Sequence, residues 1–295
     1  MNNNASHLLP SPVCPSGCQS KVVKRGHYHR PGSKIQRFQC KSCYRSFCEH
    51  IHSDWYREKK PYLRRAIFLD LSGGKTLRRL AVHLQISRTT VARKFVKLGA
   101  LCKKLAKRDL QILPQLSELQ FDDLETFCHS KCKPLSVSIA VQPQTRRILG
   151  LEVSVMPAKG RLVHLARKKY GPRADERSLG RQKLFTVLQE ITREDVSILS
   201  DMNPHYQADI KKYFPKGTHI TTRGRRGCVV GQGELKSGGW DPLFSLNHTC
   251  AMLRANMSRL FRRTWNTTKL KERLETHLWI YVLYHNRYVI KNPSR

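Results

Sequence analysis

The chain has 295 residues, with 55 Lys and Arg against 21 Asp and Glu, a formal net charge of +34 at pH 7. That length allows one large domain plus one or two small modules, and the charge excludes a soluble enzyme of small neutral metabolites: it calls for a polyanion held by phosphate neutralisation and counterion release. No apolar run approaches the roughly 20 residues of a membrane helix, and MNNNASHLLPSP lacks a basic segment followed by an apolar one, so a cytoplasmic, nucleoid-associated protein is expected.

Ten cysteines in such a chain point to metal ligands or buried thiols rather than to disulfides. Cys14-Pro-Ser-Gly-Cys18 and Cys40-Lys-Ser-Cys43 are two knuckles separated by a Gly- and Pro-containing stretch and the strand-like KIQRFQC. This is zinc-ribbon spacing: four thiolates offered tetrahedrally to a closed structural Zn²⁺, which supplies folding energy to a segment (1–52) too poor in apolar residues for a core of its own. Cys48 is left outside the complete set. His27 and His29, among Lys24, Arg25 and Arg30, suit phosphate contact or plain exposure better than metal.

Residues 60–110 read as helical and basic. Gly73-Gly74 interrupt the pattern, Thr76 caps a helix carrying Leu77, Leu80, Ala81 and Leu84, and Ser87 caps a second with Val91, Phe95 and Leu98 on its apolar side. The short Gln85-Ile86 turn between them gives the spacing of a helix-turn-helix, whose second helix enters the DNA major groove. Its base-reading candidates are Arg88, Thr89, Thr90 and Arg93, with Lys94 beside them. An ordinary helical hairpin has the same periodicity; the charge favours DNA.

Gln111–Ser117 reads as a linker to a third region, 117–295. Leu119–Phe127, LSVSIAV and Arg147–Val155 alternate as three strands of an antiparallel meander. Residues 157–177 form a basic, irregular insertion; a helix capped by Ser178 follows, then a buried-type strand, Val196–Asp201, and a fifth strand over Lys216–Thr222. Arg223, Arg225 and Arg226 form a basic loop suited to phosphates. Two long helices close the chain. The first carries Leu253, Met257, Leu260, Phe261 and Thr264 on one face; the second holds His277 and His285 among apolar neighbours, where packing explains them.

Acids stand out against this background. Asp122, Asp123 and Glu125 lie within a strand-like run, and because alternate side chains point to opposite faces only one of the two aspartates can serve a given site. Asp201 ends a strand, where crevices form in α/β sheets; it could also cap the next helix, but Asn203-Pro204 already supplies a start signal. Cys128, His129 and Cys132 lack a second matching pair and read as a loop thiol pair.

In this order the pieces resemble an insertion-sequence transposase that joins an InsA-like zinc ribbon and helix-turn-helix to an RNase H-like catalytic domain. The resemblance rests on CPxxC with CxxC, LQFDDLETF with TRRILGLEV, ILSDMNPHY, and the stretch NHTCAMLRANMSRLFRRTWNTTKLKERLETHLWIYVLYHN. It implies an α/β fold, a mixed five-stranded sheet with flanking helices, and Mg²⁺- or Mn²⁺-dependent cleavage and strand transfer of double-stranded DNA by a homo-oligomer. It matches Asp122 and Asp201 to the first two catalytic acids, both magnesium ligands, and Arg254 to the basic residue of the long helix. Where the third acid is expected stands Asn247, whose amide oxygen coordinates a hard cation without contributing charge; Asp241 and Glu234 are alternatives, Asp241 also fitting a helix N-cap before Pro242.

The rival reading is a zinc-ribbon and helix-turn-helix DNA-binding regulator derived from a transposase and catalytically inactive, which Asn247 favours. A tyrosine or serine recombinase lacks its expected constellation here, and a structural chromatin protein accounts for the charge but not for the acids.

Overall fold

The computed structural model describes residues 12–30, 33–48, 50–53, 56, 58–223, 241–261 and 266–290. The chain divides into two compact units, Met1–Tyr62 and Leu63–Arg295.

The first unit is an antiparallel three-stranded sheet, β1 (Val22–Arg30), β2 (Ser33–Cys40) and β3 (Ser46–Cys48), in the order β1-β2-β3. Among the described residues its apolar interior is small: Phe38 and Phe47, paired across β2 and β3, are the large buried side chains. So little apolar area gives a sheet of this size little independent stability.

The second unit opens with α1 (Arg64–Ser72), α2 (Leu77–His83) and α3 (Arg88–Gln111). The expected caps are present. Thr76 accepts the N–H of Arg79, and Ser87 accepts that of Thr90. Gln85 takes the positive-φ position of the α2–α3 turn, at +50°, a conformation that usually falls to glycine.

A mixed sheet follows, formed by β4 (Leu116–Phe127), β5 (Pro134–Val141), β6 (Ile148–Val155), β7 (Thr192–Asp201) and β8 (Thr218–Thr222), in the order β6-β5-β4-β7-β8. β4, β5 and β6 are the antiparallel meander, while β7 and β8 run parallel to β4. Helices α4 (Leu162–Tyr170), α5 (Arg177–Gln189), α6 (Pro204–Tyr213), α7 (Phe244–Asn256) and α8 (Lys271–Tyr284) complete the unit.

Each face of the sheet buries its own core. Alternation along β5 sends Leu135, Val137, Ile139 and Val141 into one core with α1, α2, α3, α7 and α8, whereas Phe121, Leu149, Val196 and Ile198 meet α5 and α6 on the other. The helices of 64–111 therefore belong to the same compact unit as the sheet, and Gln111–Ser117, read as a linker, connects two parts of one body. Gly99 allows this: a Cβ there would overlap Thr276 Cγ2 on α8 and stand 2.9 Å from the Thr276 carbonyl oxygen.

Several expectations change. The basic stretch 157–177 is not wholly irregular, because α4 forms between Gly160 and Gly171; it buries only Ala166, too sparse a pattern to stand out by period. α5 begins at Arg177, not at a Ser178 cap: Asp175 accepts the Arg177 N–H. α7 stops at Asn256, where Met257 turns extended (φ −115°, ψ 111°), so Met257 and Leu260 reach the core from beyond the helix. Thr264 lies outside the described residues.

Candidate functional site

The knuckle cysteines converge. The sulfurs of Cys14, Cys18, Cys40 and Cys43 all lie within 4.8 Å of one another, and among the described residues no other group of three or more His, Cys, Asp or Glu side chains is so placed. Tight turns aim them: Gly17 N–H bonds to the Cys14 carbonyl with Gly17 at φ +78°, and Tyr44 adopts φ +55° after Cys43. The Ser16 N–H, 3.4 Å from Cys14 Sγ, pulls that thiol down to about 6, while the Cys43 and Cys14 sulfurs push Cys18 up to about 12. Four crowded thiols resist ionising together unless a cation takes their charge, so the donor set suits a structural Zn²⁺. Cys48 is not in the group.

The second site is built by strand register. In the parallel β4–β7 pair Phe121 stands opposite Ser200, so the next residues, Asp122 and Asp201, follow side by side on adjacent strands, close enough for the charge of Asp201 to act on Asp122. Both point to the face that carries α7. Burial, with the charges of Asp201 and Asp123 added, pushes Asp122 up to about 6, opposed by the Asp123 N–H (2.7 Å) and the Tyr206 hydroxyl (3.2 Å), which both donate to Asp122 Oδ1. Asp201 Oδ1 accepts the Asn203 N–H at 3.0 Å, and Asn203 caps α6 by accepting the His205 N–H. Asp201 thus borders the turn into α6 without being that helix's cap.

Asp123 belongs to the opposite face. It accepts from Ser138 Oγ and, at 3.4 Å, from Arg181 Nη1, while Arg181 Nε donates to Asp209 at 2.6 Å. Of the two adjacent aspartates, then, one contacts a buried arginine that it shares with Asp209 and the other stands beside a second carboxylate. Glu125 is exposed and ion-paired to Lys159.

α7 packs against β4 on the side of Asp122. Gln120, two residues before Asp122 and on its face, donates to the Pro242 carbonyl (2.8 Å) and accepts the Leu246 N–H (2.9 Å), fixing the start of the helix to β4. Asn247, Cys250 and Arg254, at i, i+3 and i+7, share one side of α7. Cys250 is buried, and that burial together with Asp122 pushes its thiol up to about 12. Asn247 is exposed, and its Nδ2 donates to Asp241 Oδ2 at 2.9 Å. Asp241 Oδ1 accepts the Leu243 N–H at 3.0 Å, so this acid closes the turn into α7, as its position before Pro242 suggests. Glu234 lies outside the described residues.

Of the helix-turn-helix candidates, Arg88, Thr89 and Arg93 are exposed and Thr90 is half-buried. Lys94 is a correction: at 6% exposure it sits inside the helix pack and cannot belong to an outward-facing set. Arg223 is exposed at the end of β8, and Arg225 and Arg226 lie outside the described residues.

Two participants escaped the sequence reading. Gln120 had a signal, the one amide of its strand, one side-chain repeat from Asp122. Tyr206 had less, since nothing in MNPHY shows that its hydroxyl reaches a strand some 84 residues earlier. No helix among the described residues is long and apolar enough to cross a membrane. Neither a scan against protein-family models nor a search of curated proteins finds a match for this chain.

Proposed function

We propose that the chain is a DNA transposase whose second unit is an RNase H-like catalytic body and whose first unit and α2–α3 segment bind the ends of an insertion sequence. The observation that carries the reading is the β4–β7 register, which makes Asp122 and Asp201 neighbours within a protein of net charge +34. Adjacent carboxylates, one of them buried enough to hold its proton to about pH 6, form a site that a hard divalent cation would stabilise. Held by Asp122 and Asp201, Mg²⁺ or Mn²⁺ would activate water and then a DNA 3′-hydroxyl for in-line attack on phosphodiesters.

The chain's own groups prepare that site. The Tyr206 hydroxyl and the Asp123 N–H occupy Oδ1 of Asp122 and leave Oδ2 for a ligand. Gln120 fixes α7 against β4, and Asn247 and Arg254 share the helix side that Cys250 turns toward Asp122. Arg88, Thr89 and Arg93 are exposed at the start of α3, where a recognition helix presents side chains to base edges, and Arg223 adds positive charge at the end of β8. Double-stranded DNA is the partner, engaged by more than one copy of the chain.

The test is nicking and joining of a supercoiled plasmid carrying candidate element ends with Mn²⁺. Wild type should convert the plasmid, and Asp122→Asn or Asp201→Asn should not, while both variants still bind DNA. A second reading, a DNA-binding regulator without catalysis, is favoured by Asn247, whose amide is engaged with Asp241 and brings no charge to the pair. Wild-type binding without any nicking would select it.

A further inference from the structure

Beyond the two carboxylates, the same face of β4 opens into a cavity of about 660 Å³ in the second unit. Leu124 begins it, two residues past Asp122 and so roughly 7 Å further along the strand on the same side. The part-exposed Phe127 and Phe261 give it apolar surface, and Lys131, Arg254 and Arg259 give it positive charge. Arg259 is anchored from behind, its guanidinium 5.5 Å from the centre of the Phe95 ring. The one carboxylate among the described lining residues, Glu125, is already ion-paired to Lys159.

We propose that this cavity binds an unpaired nucleotide of a DNA strand end, next to the carboxylate pair. The inference rests on the DNA-processing reading above and adds a substrate feature to it. Cavities of roughly 300–1,000 Å³ suit ligands of this size. The lining is chemically divided in the way a nucleotide is: a base or sugar covers Phe127 and Phe261, while a phosphate meets Lys131 and Arg254. A paired duplex keeps its bases turned inward and offers the apolar part nothing, whereas an unpaired base presents a face that stacks on an aromatic ring. The net positive lining selects against an apolar peptide or a neutral metabolite.

The experiment compares full-length, zinc-loaded protein binding to two labelled duplexes of identical paired sequence, one blunt and one with a four-nucleotide single-stranded overhang, without added Mg²⁺ or Mn²⁺. Wild type should bind the overhang duplex roughly ten-fold more tightly, as stacking of one or two bases supplies. Lys131→Glu, on an exposed loop, and Thr267→Met, which fills the cavity without removing a cation or adding an aromatic ring, should both bring overhang binding down to the blunt level. Equal binding of both duplexes by wild type overturns the proposal. So does a Thr267→Met protein that keeps the preference, since the cations would then act outside the cavity. A free nucleoside monophosphate that competes as well as the overhang strand also overturns it, in favour of a small-molecule site. Because no cleavage is read, a chain that prefers overhangs yet never nicks a plasmid would sink the transposase reading and leave the cavity assignment standing.

Discussion

The Tyr206 hydroxyl, carried on α6, donates to Oδ1 of Asp122 on β4 at 3.2 Å, and Tyr206 itself is fully buried between Phe121 and Arg181. The helix after β7 therefore reaches back to orient a carboxylate on the neighbouring strand. Tyr206→Phe keeps the ring packing and deletes only the donor. It should cost about 1 kcal/mol of stability, raise the pH at which Asp122 loses its proton, and weaken Mn²⁺ binding most near pH 6. A titration of Mn²⁺ affinity against pH checks this; an unchanged profile would show that the hydroxyl does not position Asp122.

Asp122 also makes a prediction for the cation-free protein. In the folded chain it holds its proton to about 6, against an ordinary 3.8. The unfolded chain releases that proton more readily, so folding loses stability as pH rises from about 4 to about 6, a loss on the order of 2 kcal/mol at neutral pH. Asp122→Asn should thus melt higher than wild type at pH 7.5 and converge with it near pH 4. Adding Mg²⁺ should raise the wild-type melting temperature and leave the variant's unchanged. Thermal melts across this pH range, with and without Mg²⁺, decide it.

The first unit should depend on metal. With Phe38 and Phe47 as its large buried side chains, its sheet lacks the apolar area to fold unaided. Chelation, or Cys40→Ser, should abolish its folded signal while residues 63–295, with cores on both sheet faces, keep theirs. Hydrogen exchange resolved by peptide would show this, and equal loss of protection in both units would contradict it.

The start of α3 separates two kinds of basic residue. Arg88→Ala and Arg93→Ala, at base-reading positions, should leave stability nearly unchanged and each weaken binding to the preferred sequence by about 1–3 kcal/mol while relaxing its specificity. Lys94→Ala should instead act on the fold, since its side chain is buried. A Lys94→Ala protein that kept its stability and relaxed DNA specificity as the arginine variants do would contradict a structural role for the buried Lys94.

Where α3 meets α8 the packing leaves no room at Gly99. Gly99→Val should destabilise the second unit by about 1–3 kcal/mol or more through overpacking. Denaturant unfolding would measure it.

How far the sequence reaches follows from which contacts are local. The strands were legible because alternation is a property of neighbours: Leu135, Val137, Ile139 and Val141 announce both the strand and its buried face. Caps at Thr76, Ser87 and Asn203 were legible for the same reason. Lys94 was grouped with the polar residues for its charge, although it lies three residues after Val91 and four before Leu98, on the buried side of α3 that the apolar period already marks. The choice between Asp122 and Asp123 could be posed from strand geometry alone, but the β4–β7 register and Arg181 on α5 were needed to see which of them meets Asp201. The pairings of Gln120 with α7 and of Tyr206 with Asp122 likewise span long separations and left only faint marks.

The central claim is that Asp122 and Asp201 grip one cation together. Calorimetric titration of Mn²⁺ into zinc-loaded wild type, Asp122→Asn, Asp201→Asn and the double variant tests it most directly. Either single substitution should remove nearly all of the binding, and the double should remove no more than either alone. Additive losses, with each single variant retaining its own separate Mn²⁺ site, would contradict a shared ion.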